Sequence, residues 1–392
     1  VVAGIYATLG RSGFAVGIVN IAFDLISIAT LYHICKRLLP GASHWHAPLV
    51  GLMYACYPYL IFQNLTLIDT PLFMALLYSW LLTIVMLRER LSLDKTAVLI
   101  ALASGLLLGL IALVRTNMVL LAPVLAVWFL FRLSLRQTIA RLAIVALVSA
   151  ITISPWIMRN YAVYQQFVPV AMNGGENLYQ GNNPQTVPVF RAGYDVQWIA
   201  PPDDLPPAQG MTLERNAALA EAAWSYLRNN PQAIPELVWT KLLVHWSIPI
   251  TPARNPVAGQ LPRLDYQGNA ISSTDEDGNL AIGGLPPGDP VDIYSSNLFD
   301  VVGRTLHLVY FGSLFLLSLL GMWLTRAEWR NASLIWIVQF VTSVIYVMFH
   351  PSTRYRVPTD PLLFVFAASA LVTLALWWRS RAREPMPAHK PA

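Results

Sequence analysis

Four arginines and an aspartate have the types and positions best suited to chemistry here, since each stands at the end of a long apolar run. Arg354 and Arg356 flank Tyr355 in Arg354-Tyr355-Arg356-Val357-Pro358, after His350 and before the run that opens at Pro361. Two guanidinium groups beside a span entrance suit a phosphate, because the planar fork of Arg engages two anionic oxygens together. Arg115 marks the turn Arg115-Thr116-Asn117, and Arg159 follows Pro155-Trp156 where another run ends. Snorkelling toward lipid headgroups is the competing reading for Arg115, Arg354 and Arg356; an interface anchor competes for Arg159. Asp69, in Leu67-Ile68-Asp69-Thr70-Pro71, either caps the helix that Pro71 opens or presents a carboxylate to a polar cavity. Asp24 lies inside an apolar run, where a charge costs at least about 2.5 kcal/mol, so a packed, hydrogen-bonded neutral acid is expected.

The elements that must position these groups are membrane helices. Hydrophobic residues make up 56% of the 392 and charged residues only 12%, which places the chain outside the soluble class. Apolar runs at 14–34, 47–62, 71–87, 96–114, 118–131, 139–158, 306–324, 332–349 and 361–378 predict nine transmembrane helices. Lys36-Arg37, Arg88 and Arg90, Arg132, Arg136 and Arg141, Arg326 and Arg330, then Arg379, Arg381 and Arg383 all fall on one face under strict alternation. The positive-inside rule makes that face cytoplasmic. Arg115, Arg159, Arg354 and Arg356 fall on the other, where an anionic ligand gives them a reason.

The charge is divided along the chain. Residues 159–300 hold 14 of the 21 acidic residues but only 7 of the 26 basic ones, so the basic balance belongs to the membrane part and not to nucleic-acid binding. The expected organisation is membrane helices over 1–158, an extracytoplasmic domain over 159–303 and membrane helices over 304–392. Within the domain, Asn173-Gly174-Gly175 and Gly181-Asn182-Asn183-Pro184 read as turns. Apolar spacing predicts helices from Thr212 to Asn229, stopped by Pro231, and from Ile234 to Trp246, where Trp239 and Trp246 suit a membrane–water interface. Thr251 to Pro290 reads as irregular loop. Its Asp275-Glu276-Asp277-Gly278 lacks the ligand spacing of an EF-hand and reads as a solvated turn, so no metal is expected. Cys35 and Cys56 lie in or beside apolar runs, and no disulfide framework is expected. Val1 to Gly10 begins in mid-pattern, as in a fragment of a longer protein.

Four local patterns together resemble the GT-C membrane glycosyltransferases, specifically the family 39 group of protein mannosyltransferase-like and aminoarabinose-transferase-like enzymes. They are Asp69-Thr70 opening a span, Ala112-Leu113-Val114-Arg115 before a run containing Pro123, Pro155-Trp156 through Arg159-Asn160-Tyr161, and Arg354-Tyr355-Arg356 with Pro358. The stretch from Val168 to Pro184 is typical of bacterial members. The resemblance implies an all-α polytopic protein of about nine spans with a mixed, mainly helical outer domain, set in a bacterial inner membrane. It implies inverting transfer of a sugar from a polyprenyl-phosphate donor to a protein, lipid or glycan acceptor, without a cofactor. Arg115, Arg159, Arg354, Tyr355 and Arg356 would hold the donor phosphate. The family's catalytic carboxylate lies in a first outer loop expected upstream of Val1; Asp69 is the candidate within the chain but does not match that loop. A secondary transporter, or an inert relative that binds polyprenyl phosphate, are the rival readings.

Overall fold

Long apolar segments free of helix breakers close their backbone hydrogen bonds internally, the condition for crossing lipid. A computed structural model describes residues 1–39, 41–66, 68–202, 212–254, 261, 264–269, 272–274, 280–282 and 298–381. The turn at 275–278 and Arg383 lie outside the described residues. The chain forms α1 (Val2–Leu9), α2 (Gly13–Leu38), α3 (His46–Ala55), α4 (Pro58–Asn64), α5 (Thr70–Glu89), α6 (Lys95–Val114), α7 (Leu121–Leu130) and α8 (Leu135–Tyr164). It continues with α9 (Gly174–Gly181), α10 (Thr186–Arg191), α11 (Leu213–Asn229), α12 (Ile234–His245), strands β1 (Ser272–Thr274) and β2 (Leu280–Ile282), α13 (Leu298–Leu324), α14 (Trp329–Met348), α15 (Thr353–Arg356) and α16 (Asp360–Arg381). Among the described residues seven helical segments are long and apolar enough to cross a membrane, which makes this an integral membrane protein.

Seven is two fewer than the apolar runs suggest. The run 47–62 breaks at Cys56-Tyr57 into α3 and α4, because Pro58 brings no N–H to continue a helix and opens a new one instead. The run 118–131 starts as a 3-10 turn, Thr116–Leu120, and leaves α7 only 10 residues, or about 15 Å, against the roughly 30 Å of a hydrocarbon core.

Two compact units divide the chain, the first being Val1–Thr152, Val309–Val338 and Pro358–Ala392, the second Ile153–Leu308 and Gln339–Val357. The expected domain 159–303 thus falls within the second unit, which also takes residues 339–357. In the first unit the basic helix ends gather at one end. Arg37 pairs with Glu89, so α2 and α5 finish together. Arg88, buried, donates to the Trp128 carbonyl (3.1 Å), Asn331 (3.1 Å) and the Arg330 carbonyl (3.3 Å). Arg141 donates to the carbonyls of Arg90 (2.7 Å) and Ser92 (3.1 Å). The Trp128 and Arg90 carbonyls lie at helix C-termini, which lack intrahelical partners, and the guanidiniums satisfy them. Of the short segments, α4 ends at Asn64, which bonds Asp24 midway along α2, and α7 begins beyond the turn at Arg115 and carries Trp128 to Arg88. Asp24 accepts from Tyr54 (2.7 Å) and Asn64, the hydrogen-bonded packing expected of an acid inside a span.

Helix α16 is the hub of this unit, buried at every residue from Asp360 to Ala370. Tyr57 donates to Asp360 (2.8 Å), Tyr78 to the Pro358 carbonyl (2.8 Å) and Ser318 to the Leu363 carbonyl (2.8 Å). Trp336 packs on Phe366 at 5.8 Å between ring centres.

The second unit corrects one reading of the outer domain. Gly174-Gly175, read as a turn, opens helix α9 after Asn173, while Asn182-Asn183-Pro184 turns as expected once Gly181 has ended that helix. Its glycines serve close approach: a side chain at Gly175 would collide with the Asn216 carbonyl, and one at Gly181 with the Phe349 carbonyl. Asn182 donates to the carbonyls of Leu178 (2.8 Å) and Met348 (2.9 Å), and Asn183 to that of Tyr179 (2.7 Å). The expected helices are present as α11, capped by Thr212, and α12. Within 251–290, β1 and β2 form an antiparallel pair with Ser273 opposite Ala281, so that stretch is not wholly irregular.

Candidate functional site

Arg354 is placed by two stitches that join segments distant in sequence. Gly193, at φ 83°, makes a turn that a side chain would strain, and its carbonyl accepts from Ala253 (2.8 Å) and Arg254 (2.9 Å). Two residues earlier Thr251 exchanges backbone bonds with Thr353: the Thr251 N–H donates to the Thr353 hydroxyl (2.8 Å), and the Thr353 N–H donates to the Thr251 carbonyl (2.9 Å). Thr353 opens α15, so Asp195, two residues past Gly193, is brought close enough for Arg354 to act on its charge. Asp195 shares a pocket with Phe190, Val244, Thr251 and Pro351. Its carboxylate accepts from the Gln197 N–H (3.1 Å). Burial raises the Asp195 pKa above the usual carboxylate value; the Gln197 bond and Arg354 pull it back. Nothing local in Gly193-Tyr194-Asp195 marks this carboxylate as a functional residue, and sequence reasoning passed over it.

The arginine pair separates. Arg354 is exposed and Arg356 fully buried, its guanidinium donating to the carbonyls of His245 (3.2 Å) and Ser247. Residues two apart on a helical turn point away from each other, so the two do not form the shared clamp expected of them. Arg356 instead ties α15 to the end of α12. Tyr355 is held between rings, stacked on Tyr346 at 4.9 Å and edge-on to His350 at 5.5 Å. Arg159 is exposed, lies over the Trp156 ring at 5.2 Å and donates to Asn160 (3.0 Å). Both contacts are made within α8 itself.

In the first unit Arg115 and Asp69 meet. Arg115 donates to both Asp69 oxygens (2.8 and 3.3 Å) and to the Thr70 hydroxyl (3.1 Å), and its guanidinium lies over Phe73 at 4.4 Å. The Asp69 side chain does not cap α5. Of its two expected roles the cap is therefore set aside, because Arg115 engages both carboxylate oxygens. Arg115 belongs to one unit and Arg159, Arg354 and Arg356 to the other.

The Asp69–Arg115 pair gives a direct expectation. Asp69→Asn and Arg115→Gln should each lower thermal stability in detergent, and the double variant should lose less than the sum. The coupling should be about 0.5–3 kcal/mol; strict additivity would show that solvent screens the pair.

Comparison with protein-family models, curated proteins and solved structures gave no match.

Proposed function

We propose that this is a membrane glycosyltransferase that moves a sugar from a polyprenyl-phosphate donor to a protein, lipid or glycan acceptor. The observation that carries the reading is Arg354: an exposed guanidinium at the head of a membrane span, beside the part-buried carboxylate of Asp195. In the first unit Arg88 and Arg141 are instead spent on backbone carbonyls. In the proposed reaction an acceptor hydroxyl oxygen attacks the anomeric carbon and gives up its proton to a base. The bond from that carbon to the phosphate oxygen breaks, and its electron pair leaves on the lipid phosphate. Arg354 stabilises that growing charge. Asp195 is a positioning residue that fixes the direction of the guanidinium, and Arg356 holds the turn on which Arg354 rides.

The test is sugar transfer from a radiolabelled polyprenyl-phosphate sugar by membranes containing the protein. Transfer that depends on Arg354 supports the reading. Binding of polyprenyl phosphate without transfer would support an inert relative, and neither would remove the proposal.

The proposal includes an orientation, with residues 159–300 outside the cytoplasm of a bacterial inner membrane. Gln232 lies beside α12 and Ser380 at the end of α16, both exposed. In intact cells an impermeant thiol reagent should label Gln232→Cys and spare Ser380→Cys; the reverse pattern would overturn the assignment.

A further inference from the structure

Helix α12 is built inside out. Leu237, Lys241 and His245 recur at four-residue spacing and face the interior, with Lys241 1% and His245 0% exposed. The opposite arc carries Pro235, Val238, Trp239 and Leu243, all exposed, Trp239 to 60% and Leu243 to 55%. A helix facing water shows the reverse polarity. The charges of α12 are both engaged: Lys241 donates to the carbonyl of Gly181 (3.0 Å) and to Asn182 (2.9 Å), and Glu236 takes Arg191 (2.5 Å) and Tyr266. At 12 residues, or about 18 Å, α12 is too short to cross a bilayer.

A second observation indicates what covers the apolar arc. Trp246, which ends α12, donates to Ser343 (3.1 Å), five residues before the end of α14. On the same stretch of α14, Phe340, Val344 and Met348 recur at four-residue spacing and are exposed, within a helix apolar enough to span a membrane. The end of α12 is therefore bonded to a part of a span that exposes an apolar row.

We infer that α12 is an interfacial helix, with its Val238, Trp239 and Leu243 face inserted among the headgroups and upper acyl chains of the bilayer. Such a helix lies in the membrane plane, and tryptophan favours that depth. The inference is independent of any sugar-transfer activity.

Spin labels test it on the full chain reconstituted in phosphatidylcholine vesicles, with the exposed thiol of Cys56 removed as Cys56→Ser. Labels at Trp239→Cys and Leu243→Cys should collide several-fold more with oxygen than with a water-soluble nickel chelate. A label at Glu221→Cys, on the exposed side of α11, should show the opposite preference. Val238→Cys replaces Trp239→Cys if that variant does not fold. Nickel access at 239 and 243 equal to that at 221 would overturn the inference, since the face would then meet water. Shielding from both reagents would overturn it too, by showing a protein partner on the face.

Discussion

Arg354→Ala should lower sugar transfer by about ten- to a hundredfold, with only a small loss of thermal stability from the countercharge taken from Asp195. The loss corresponds to one charge-assisted hydrogen bond of roughly 1.5–3 kcal/mol made to the leaving phosphate. Arg354→Lys should fall between, because a point charge replaces a planar fork. Arg356→Lys should behave differently. Arg356 is buried and its Nη1 donates to the carbonyls of His245 and Ser247, so its loss should reduce stability and activity together. Arg330→Ala, at the opposite helix ends with an exposed side chain, should act like wild type. The assay is transfer from a radiolabelled donor at matched expression, alongside unfolding of the purified variants. Full activity in Arg354→Ala would reduce this arginine to a headgroup contact.

The second large effect concerns Lys241, and its signature is pH. Burial pulls the Lys241 pKa down to about 7, from an ordinary value of 10.5 that the unfolded chain regains. Below pH 7 both states hold the proton, and the native state carries the full cost of a buried ammonium. Between pH 7 and about 10 the unfolded chain binds more protons than the native one, so native stability rises with pH. The slope is at most about 1.4 kcal/mol per pH unit. Lys241→Met removes this rise and leaves the Gly181 carbonyl and Asn182 without their lysine donor, each at about 1–3 kcal/mol. The melting temperature of wild type should therefore gain on that of Lys241→Met as the pH is raised from 7 to 9. A difference that stays constant over that window would show that Lys241 does not titrate there. His350 will not mimic the effect, because burial first and Lys241 second hold it near a pKa of about 4.

What could be read from the sequence followed the range of each interaction. Hydropathy is a property of contiguous residues, so the seven long spans and helices α11 and α12 were legible with bounds close to those observed. Thr212 and Pro231 acted as start and stop signals because capping and the missing proline N–H are local. The break between α3 and α4 was written in Pro58, but an apolar run hides such a break when its average alone is weighed. Gly174, Gly175 and Gly181 misled for a different reason: glycine permits both a turn and a close approach, and only the Asn216 and Phe349 carbonyls decide between them. Asp195 and Arg354 come together through the stitches at Gly193 and Thr251, which depend on tertiary pairing and leave no mark in either segment. Arg354 and Arg356 looked equivalent as a dipeptide pattern; a half-turn of helix makes one a surface group and the other an interior tie.

The burial of α16 has a consequence for how the protein comes into being. Its hub is made long after the helices it joins, and Tyr57 meets Asp360 across 303 residues of chain. At about 5–20 residues per second, Tyr57 is made roughly 15–60 s before its partner exists. During that interval the earlier helices sit in the bilayer with polar groups that lipid cannot satisfy, Tyr57 and Tyr78 among them. Assembly in the membrane is thus a delayed closure around α16. A chain stopped before Thr353 should insert its first helices yet be degraded as an unfinished bundle, however long its outer domain.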